Sequence, residues 1–449
     1  MGILIWSDPR VKRRSEKRKV QAAGDVATTS AGAYPIFLKF LHLYPITGDL
    51  MKCYFDDYEF SFQFLRVLGV SIAGGSDISE CLTTAYRIRE RDFESWYREW
   101  RKTAERVHKI ADACDGKGHG VSARDAYLRA SSYYRSAEFF LHGDTSDPRI
   151  HETSALSREC FRNALPYFAT LVEPVEILYE NTTLPGYFFA PDNSGTPRPT
   201  IIFNTGFDGT AEELYFIHVT EALKRGYNAL TFEGPGQGSV IREQRIPFRH
   251  DWENVVTPVM DYLVTRPDVV PEKIVIEGIS MGGYLAPRAA AYEHRIAACV
   301  ANGGVFEADF TKRPEYTDEM LDMLYHKPEE FDTAMQESAE QNTSYKWALE
   351  HGMYVFGAKT PHEWLIKSTK FTMKECVDKV LCPVLVIDVE NEQAFKGKAK
   401  MLYDALKCEK TWMYFTKEEG AEEHCQIGAG FVARQRIFDW IDETLMNRH

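Results

Sequence analysis

The stretch Gly278-Ile279-Ser280-Met281-Gly282-Gly283 decides how the rest of the chain is read. It follows Lys273-Ile274-Val275-Ile276-Glu277, a short β-branched run that reads as a buried strand. It precedes Tyr284-Leu285-Ala286-Pro287-Arg288-Ala289, which reads as a helix. Gly-x-Ser-x-Gly between a strand and a helix is a nucleophile elbow. Ser280 is then expected on a tight, strained turn that lifts its hydroxyl clear of the sheet. Gly278 and Gly282 have no β-carbon, so strand and helix can pack closely around that turn. The helix N-terminus behind the serine favours developing negative charge. The plain alternative is an ordinary serine in a glycine-rich turn, but the flanking strand and helix supply the context the motif requires.

Working outward, the chain has 449 residues, room for one large domain or two. Apolar residues make up 44%, enough for a sizeable core, and the net charge of −13 argues against a nucleic-acid partner. Nine cysteines with no Cys-x-x-Cys pair do not read as a disulfide framework. Reduced thiols and a cytoplasmic setting fit better. No apolar run is long enough to span a membrane, and the N-terminus lacks the apolar core of a signal peptide. Arg10 to Lys19 is strongly basic and reads as a solvated arm.

Residues 1–33 read as a mobile arm and 34–170 as a helical cap. Residues 171–449 read as a catalytic domain of alternating strands and helices, with a helical insertion at about 305–380. In the cap, Ser95 to Ala113 shows apolar and aromatic residues at helical spacing, Ser122 is a plausible N-cap, and Asp147-Pro148 opens a third helix. Alternating strands and helices give a mostly parallel sheet covered on both faces. With the elbow, this predicts the α/β-hydrolase fold with an N-terminal helical cap.

A serine nucleophile needs a general base and an orienting acid, and this fold supplies them in the chain order serine, acid, histidine. His424, in the loop after the last strand, stands where the base belongs. His351 and His362 fall in the charged insertion and read as surface residues. After the strand Pro383 to Val389, Glu392 fits the register of the acid best, with Asp388 as the alternative. An oxyanion hole needs two backbone N–H donors. Met281, after the nucleophile, offers one, and Phe207, in the loop after Pro199 to Thr205, offers the other. Asp208 beside it is a turn residue or a substrate contact. Arg129 could pair with an acidic phenol or with a nearby carboxylate, and Tyr133 sits in an aromatic stripe that either lines a cleft or packs as core. The turn Glu233 to Gly238 lacks the Lys-Ser/Thr of a phosphate loop and is expected at the active-site rim. No paired-histidine or Cys-x-x-Cys spacing marks a metal site, and no cofactor is implied.

Several stretches together resemble one branch of the α/β-hydrolases: NTGFDGTAEELYF from Asn204, FEGPGQG from Phe232, DWENVVTPVMDYL from Asp251, GISMGGYLAPRAAA from Gly278 and GAEEHCQIGA from Gly420. The cap stretches ESWYREWRKTAERV and SARDAYLRASSYYRSAEFFL resemble it too. This is the FrsA-like and 2,6-dihydroxypseudooxynicotine hydrolase branch, which includes fungal polyketide-shortening hydrolases of the yellowish-green, melanin-pathway type. The resemblance runs over roughly residues 55–445 and leaves the basic arm uncovered. It implies a small-molecule substrate, cleavage of a carbon–carbon bond next to a ketone, a fungal pigment or other secondary-metabolite pathway, and a homodimer. Glu392 departs from the more usual Asp, which keeps Asp388 open. The same parts would serve an esterase or lactonase, or a serine-dependent cyclase or lyase. A binding protein that kept the fold is the non-enzymatic rival, and the complete elbow, histidine loop and oxyanion loop argue against it.

Overall fold

A computed structural model describes residues 51–446 with the exception of 314. The basic stretch and the start of the expected cap lie outside the described residues. From the N-terminal side come five helices: α1 (Tyr58–Gly69), α2 (Ile78–Ala85), α3 (Phe93–Asp115), α4 (Gly120–Glu138) and α5 (Pro148–Ala164). On α3, Trp96, Trp100, Ala104, Val107 and Ala111 recur at helical spacing and are all fully buried. Asp92 caps that helix through Ser95 N–H, and Asp147 caps α5 with Pro148 in its first turn. Helix α4 starts two residues before the expected cap at Ser122. Gly120 packs against the Tyr167 ring, where a β-carbon would lie 2.6 Å from the ring, and His119 takes the N-cap position.

The eight strands are β1 (Leu171–Tyr179), β2 (Thr182–Ala190), β3 (Arg198–Asn204), β4 (Asn228–Phe232), β5 (Val269–Ile279), β6 (Ala298–Asn302), β7 (Val384–Val389) and β8 (Lys410–Phe415). They form one sheet in the order β1-β2-β4-β3-β5-β6-β7-β8. The β1–β2 hairpin joins antiparallel and every other pair from β4 to β8 is parallel. The central strands are buried on both faces, which is why they read as continuous β-branched runs. Ile202, Ile276 and Val386 point to one face; Ile201, Phe203, Val275 and Ile387 point to the other.

The second face is continuous with the cap. Phe60, Trp96, Tyr133, Phe139 and Phe140 belong to the same apolar cluster as Phe189, Ile201 and Val275. Phe93 and Phe140 stack with centroids 4.2 Å apart, Phe60 stacks on both, and Trp96 packs edge to face on Phe60 and Phe140. Between the strands run α6 (Ala211–Leu214), α7 (Thr220–Lys224), α8 (Glu253–Val264) and α9 (Gly282–Ala290), and between β6 and β7 the chain adds α10 (Asp318–His326), α11 (Pro328–Ala339), α12 (Thr343–Phe356) and α13 (Pro361–Ser368). Among the described residues, no helix is long and apolar enough to cross a membrane.

Candidate active site

The sharp turn between β5 and the helix Gly282–Ala290 holds Ser280 at φ 61°, the left-handed region that non-glycine residues rarely occupy. Its amide donates to Asn302 O at 2.8 Å, which ties the turn to β6. The turn closes only because its neighbours are glycines. A β-carbon on Gly278 would lie 1.9 Å from Gly282 O, and one on Gly283 would lie 2.4 Å from Gly303 O.

Ser280 Oγ donates to His424 Nε2 at 2.8 Å, and His424 Nδ1 donates to Glu392 Oε2 at 2.6 Å. Glu392 follows β7 and is buried. Its Oε1 also accepts from the Ala394 and Phe395 amides, at 2.8 and 3.0 Å. Burial works against the Glu392 charge, but His424 and these amides outweigh it and hold the carboxyl below its ordinary pKa. His424 is pushed the other way. Burial opposes its protonation, and the neighbouring Cys425 and Glu392 overcome that, so its pKa is raised well above 6.5. Asp388 Oδ1 accepts from the Val389 amide and not from the histidine, and burial raises its pKa to about 6. Cys425, at φ 53°, brings its Sγ to 3.4 Å from His424 Nε2.

Phe207 and Met281 also meet at the serine. A β-carbon on Gly206 would come within 2.8 Å of Met281 N and 3.0 Å of Ser280 Cβ, so the loop after β3 lies directly against the elbow. Neither the Phe207 nor the Met281 amide has a backbone acceptor among the described residues. From below, Gln237 Nε2 donates to Thr205 O and Gly206 O at 2.8 and 3.1 Å. The Glu233–Gly238 turn, expected at the rim, is therefore buried beneath this loop and supports it.

These groups open into a cavity of about 170 Å³. Its far wall is α1, through Tyr58, Glu59, Phe62, Gln63 and Arg66, and its roof is the insertion, through Ser344, Trp347 and Trp364. Glu59, Gln63 and Ser344 are buried polar side chains on this lining, and burial raises the Glu59 pKa to about 7. Among the described residues Gln63 Oε1 has no hydrogen-bond partner, and Ser344 Oγ lies beside the Glu59 carboxyl.

Arg129, Tyr133 and Asp208 each take the structural one of the two roles the sequence left open, and His351 departs from its expected place at the surface. Arg129 pairs with Glu80 at 3.1 Å, and the buried Tyr133 hydroxyl bonds Glu80 at 2.9 Å; neither lines the cavity. Both face α2 inside the cap. Asp208 lines the cavity but is committed to Arg66 at 2.6 Å, with Arg135 3.6 Å away. Those two arginines outweigh burial and hold its carboxyl far below the ordinary range. His351, expected at the surface, is buried and bonds Phe207 O through Nε2 at 2.9 Å; His362 is partly buried and bonds Asp332. Among the described residues no group of three or more His, Cys, Asp or Glu side chains is arranged to hold a metal ion.

A mostly parallel eight-stranded sheet flanked by helices, with a serine raised on an elbow after its fifth strand, defines an α/β-hydrolase. Within that class the chain belongs to the FrsA-like family, whose sequence model, described as Esterase FrsA-like, matches residues 79–357. It is 34% identical over 413 residues to 20-hydroxy-prefusarin hydrolase FUS2 of Gibberella moniliformis, covering 88% of this chain and 98% of that one. It is 33% identical over 403 residues to Hydrolase LUC6 of a Fusarium species, covering 86% and 96%. Among solved structures, 2,6-dihydroxy-pseudo-oxynicotine hydrolase superposes with a TM-score of 0.67 at 21% identity, over 84% of this chain and 95% of that one. That likeness is one of fold.

Proposed function

We propose that this hydrolase cleaves a carbon–carbon bond next to a ketone in an aromatic polyketide or a β-diketone-like metabolite, by a retro-Claisen route through an acyl-enzyme. The observation that carries the reading is the unbroken hydrogen-bonded chain from Ser280 through His424 to Glu392, opening beside the Phe207 and Met281 amides, which have no backbone acceptor among the described residues. His424 Nε2 takes the Ser280 proton as Oγ attacks the carbonyl carbon. The oxygen becomes an oxyanion held by the Phe207 and Met281 N–H groups, each such donor lowering the barrier by about 3 kcal/mol. Collapse re-forms the carbonyl and breaks the C–C bond, whose electron pair leaves as an enolate. His424 Nε2–H protonates the enolate carbon. Water, deprotonated by His424, then attacks the acyl group and releases a carboxylic acid and free Ser280.

The cavity supports a ring-bearing, oxygen-rich substrate. Phe62, Phe207, Phe310, Trp347 and Phe395 provide flat apolar wall, and Gln63 provides a polar group that a substrate hydroxyl would satisfy. A relative whose name gives 20-hydroxy-prefusarin as its substrate supports a secondary metabolite of this kind. An ester would use the same parts, and the family's description as an esterase favours that second reading. Offering acylated naphthols and 1,3-diketones beside p-nitrophenyl esters, with products identified by mass, separates the two. Carboxylic acid and shortened ketone from the diketone are expected. Rapid ester turnover with an inert diketone would sink the C–C reading.

A further inference from the structure

The insertion reaches the oxyanion loop through one buried histidine. His351, on α12, points its Nε2 at Phe207 O (2.9 Å) and its Nδ1 at His142 Nδ1 (2.9 Å). His142 Nε2 in turn meets Glu138 Oε1 at 2.8 Å, and Glu138 is gripped by both guanidinium arms of Arg242 at 2.7 and 2.8 Å. Both histidines are buried, as are Glu138 and Arg242. The chain of contacts therefore links the insertion, the cap and the segment after β4 to a single carbonyl.

We propose that His351, backed by His142, is a positioning residue that sets the oxyanion donor of Phe207. The proposal rests on the reading of Phe207 N–H as that donor. Two peptide planes flank the Phe207 α-carbon. Gln237 holds the Gly206–Phe207 plane by its carbonyl, on the edge opposite the donor N–H. His351 holds the Phe207–Asp208 plane by its carbonyl. With both planes fixed, φ and ψ of Phe207 are fixed, and so is the direction of its N–H. Arg66 and Arg135 hold the Asp208 side chain but leave the Phe207 carbonyl free to swing.

The protons can be counted. A carbonyl accepts only, so His351 Nε2 carries a hydrogen. Glu138 accepts from Arg242, so His142 Nε2 carries a hydrogen towards it. The short contact between the two Nδ1 atoms needs one more. Three N–H bonds on two imidazoles make one positive charge. Burial, first, and the neighbouring His142 lower the His351 pKa to about 3, which keeps its ring neutral. The groups facing the pair are Glu138, Arg242 and Asp208, with Tyr354 stacked on His142 and Trp347 on His351. The hydrogen bond to His142 behind His351 fixes the ring and strengthens its bond to Phe207 O.

The test uses the p-nitrophenolate burst with p-nitrophenyl acetate, which reports acylation for any acyl leaving group. His351→Phe removes the donor and keeps a ring. It is expected to slow acylation about tenfold or more, a fraction of what loss of a whole oxyanion donor costs, with half-saturation unchanged within about twofold. His351→Gln, which can still present an N–H at the Nε2 position, is expected to recover most of that loss. A folded His351→Phe enzyme with a burst within twofold of the parent overturns the proposal, as does a folded His351→Gln enzyme no faster than His351→Phe. If His351→Phe does not fold, His142→Phe gives the same reading: slower acylation supports the proposal and an unchanged rate overturns it. Failure of the underlying catalytic reading looks different, because Ser280→Ala would then keep its burst.

Discussion

Replacing Glu392 with Gln tests the acid where sequence left two carboxylates open. Glu392 accepts three hydrogen bonds, and two of them, from the Ala394 and Phe395 amides, fall on Oε1. A Gln side chain would keep its oxygen on those amides and so turn its NH₂ towards His424 Nδ1. Two donors cannot face each other at 2.6 Å, so the imidazole must change tautomer and accept at Nδ1. Its Nε2 would then carry the hydrogen and could no longer take the proton of Ser280 Oγ, 2.8 Å away. A wrongly set tautomer of this kind costs about 10⁴ in kcat, or about 5.5 kcal/mol at 1.36 kcal/mol per factor of ten. Side-chain volume hardly changes, so KM and Tm should stay near the parent values. The assay is steady-state kinetics of Glu392→Gln beside Asp388→Asn on one chromogenic ester, with Tm recorded for each. Asp388, bonded to the Val389 amide, should lose less than about tenfold because it leaves the tautomer alone. A Glu392→Gln enzyme within tenfold of the parent, or an equal loss in Asp388→Asn, would refute the reasoning.

Three further outcomes follow from the same geometry. His424 works as a base only when neutral and its pKa is raised well above 6.5, so kcat/KM should fall as pH drops through a value above 6.5; an acid limb at or below 6.5 would contradict the Glu392 pairing. Gly278→Ala would drive a β-carbon to 1.9 Å from Gly282 O and should cost about 3 kcal/mol or more in urea unfolding, beyond ordinary overpacking because the clash is with backbone. Arg66→Ala leaves Asp208 and Glu213 without their main cation and should cost about 3–5 kcal/mol, measured by the same unfolding curve; a loss under 1 kcal/mol would show the cluster to be solvated.

Much of the fold could be read from local pattern. A run such as Ile274 to Glu277 is buried on both faces, and its flanking glycines have a steric reason that is visible in sequence. The approach of His424 and Glu392 to Ser280 follows from chain order, because in this fold strand order fixes which loops reach the elbow. What could not be read depends on which face of a helix meets which neighbour. Arg129 and Tyr133 looked suited to a substrate, yet α4 turns them to Glu80 inside the cap. The cavity wall comes instead from α1, whose Glu59, Gln63 and Arg66 carry no motif. Asp208 looked free because its partners lie 142 and 73 residues away, at Arg66 and Arg135. His351 looked exposed because its segment is rich in charge; only the packing of α12 over the oxyanion loop buries it.

The central claim is that Ser280 breaks a carbon–carbon bond by taking up the acyl half of a diketone. The direct measurement is mass spectrometry of the intact enzyme, acid-quenched during turnover of a 1,3-diketone and followed by peptide mapping. The expected result is an added acyl mass on the peptide containing Ser280, absent from Ser280→Ala, with the shortened ketone released in an amount equal to the acyl-enzyme and the free carboxylic acid together. Consumption of the diketone with Ser280 unmodified and Ser280→Ala still active, or an acyl mass that appears with esters and never with the diketone, would contradict it.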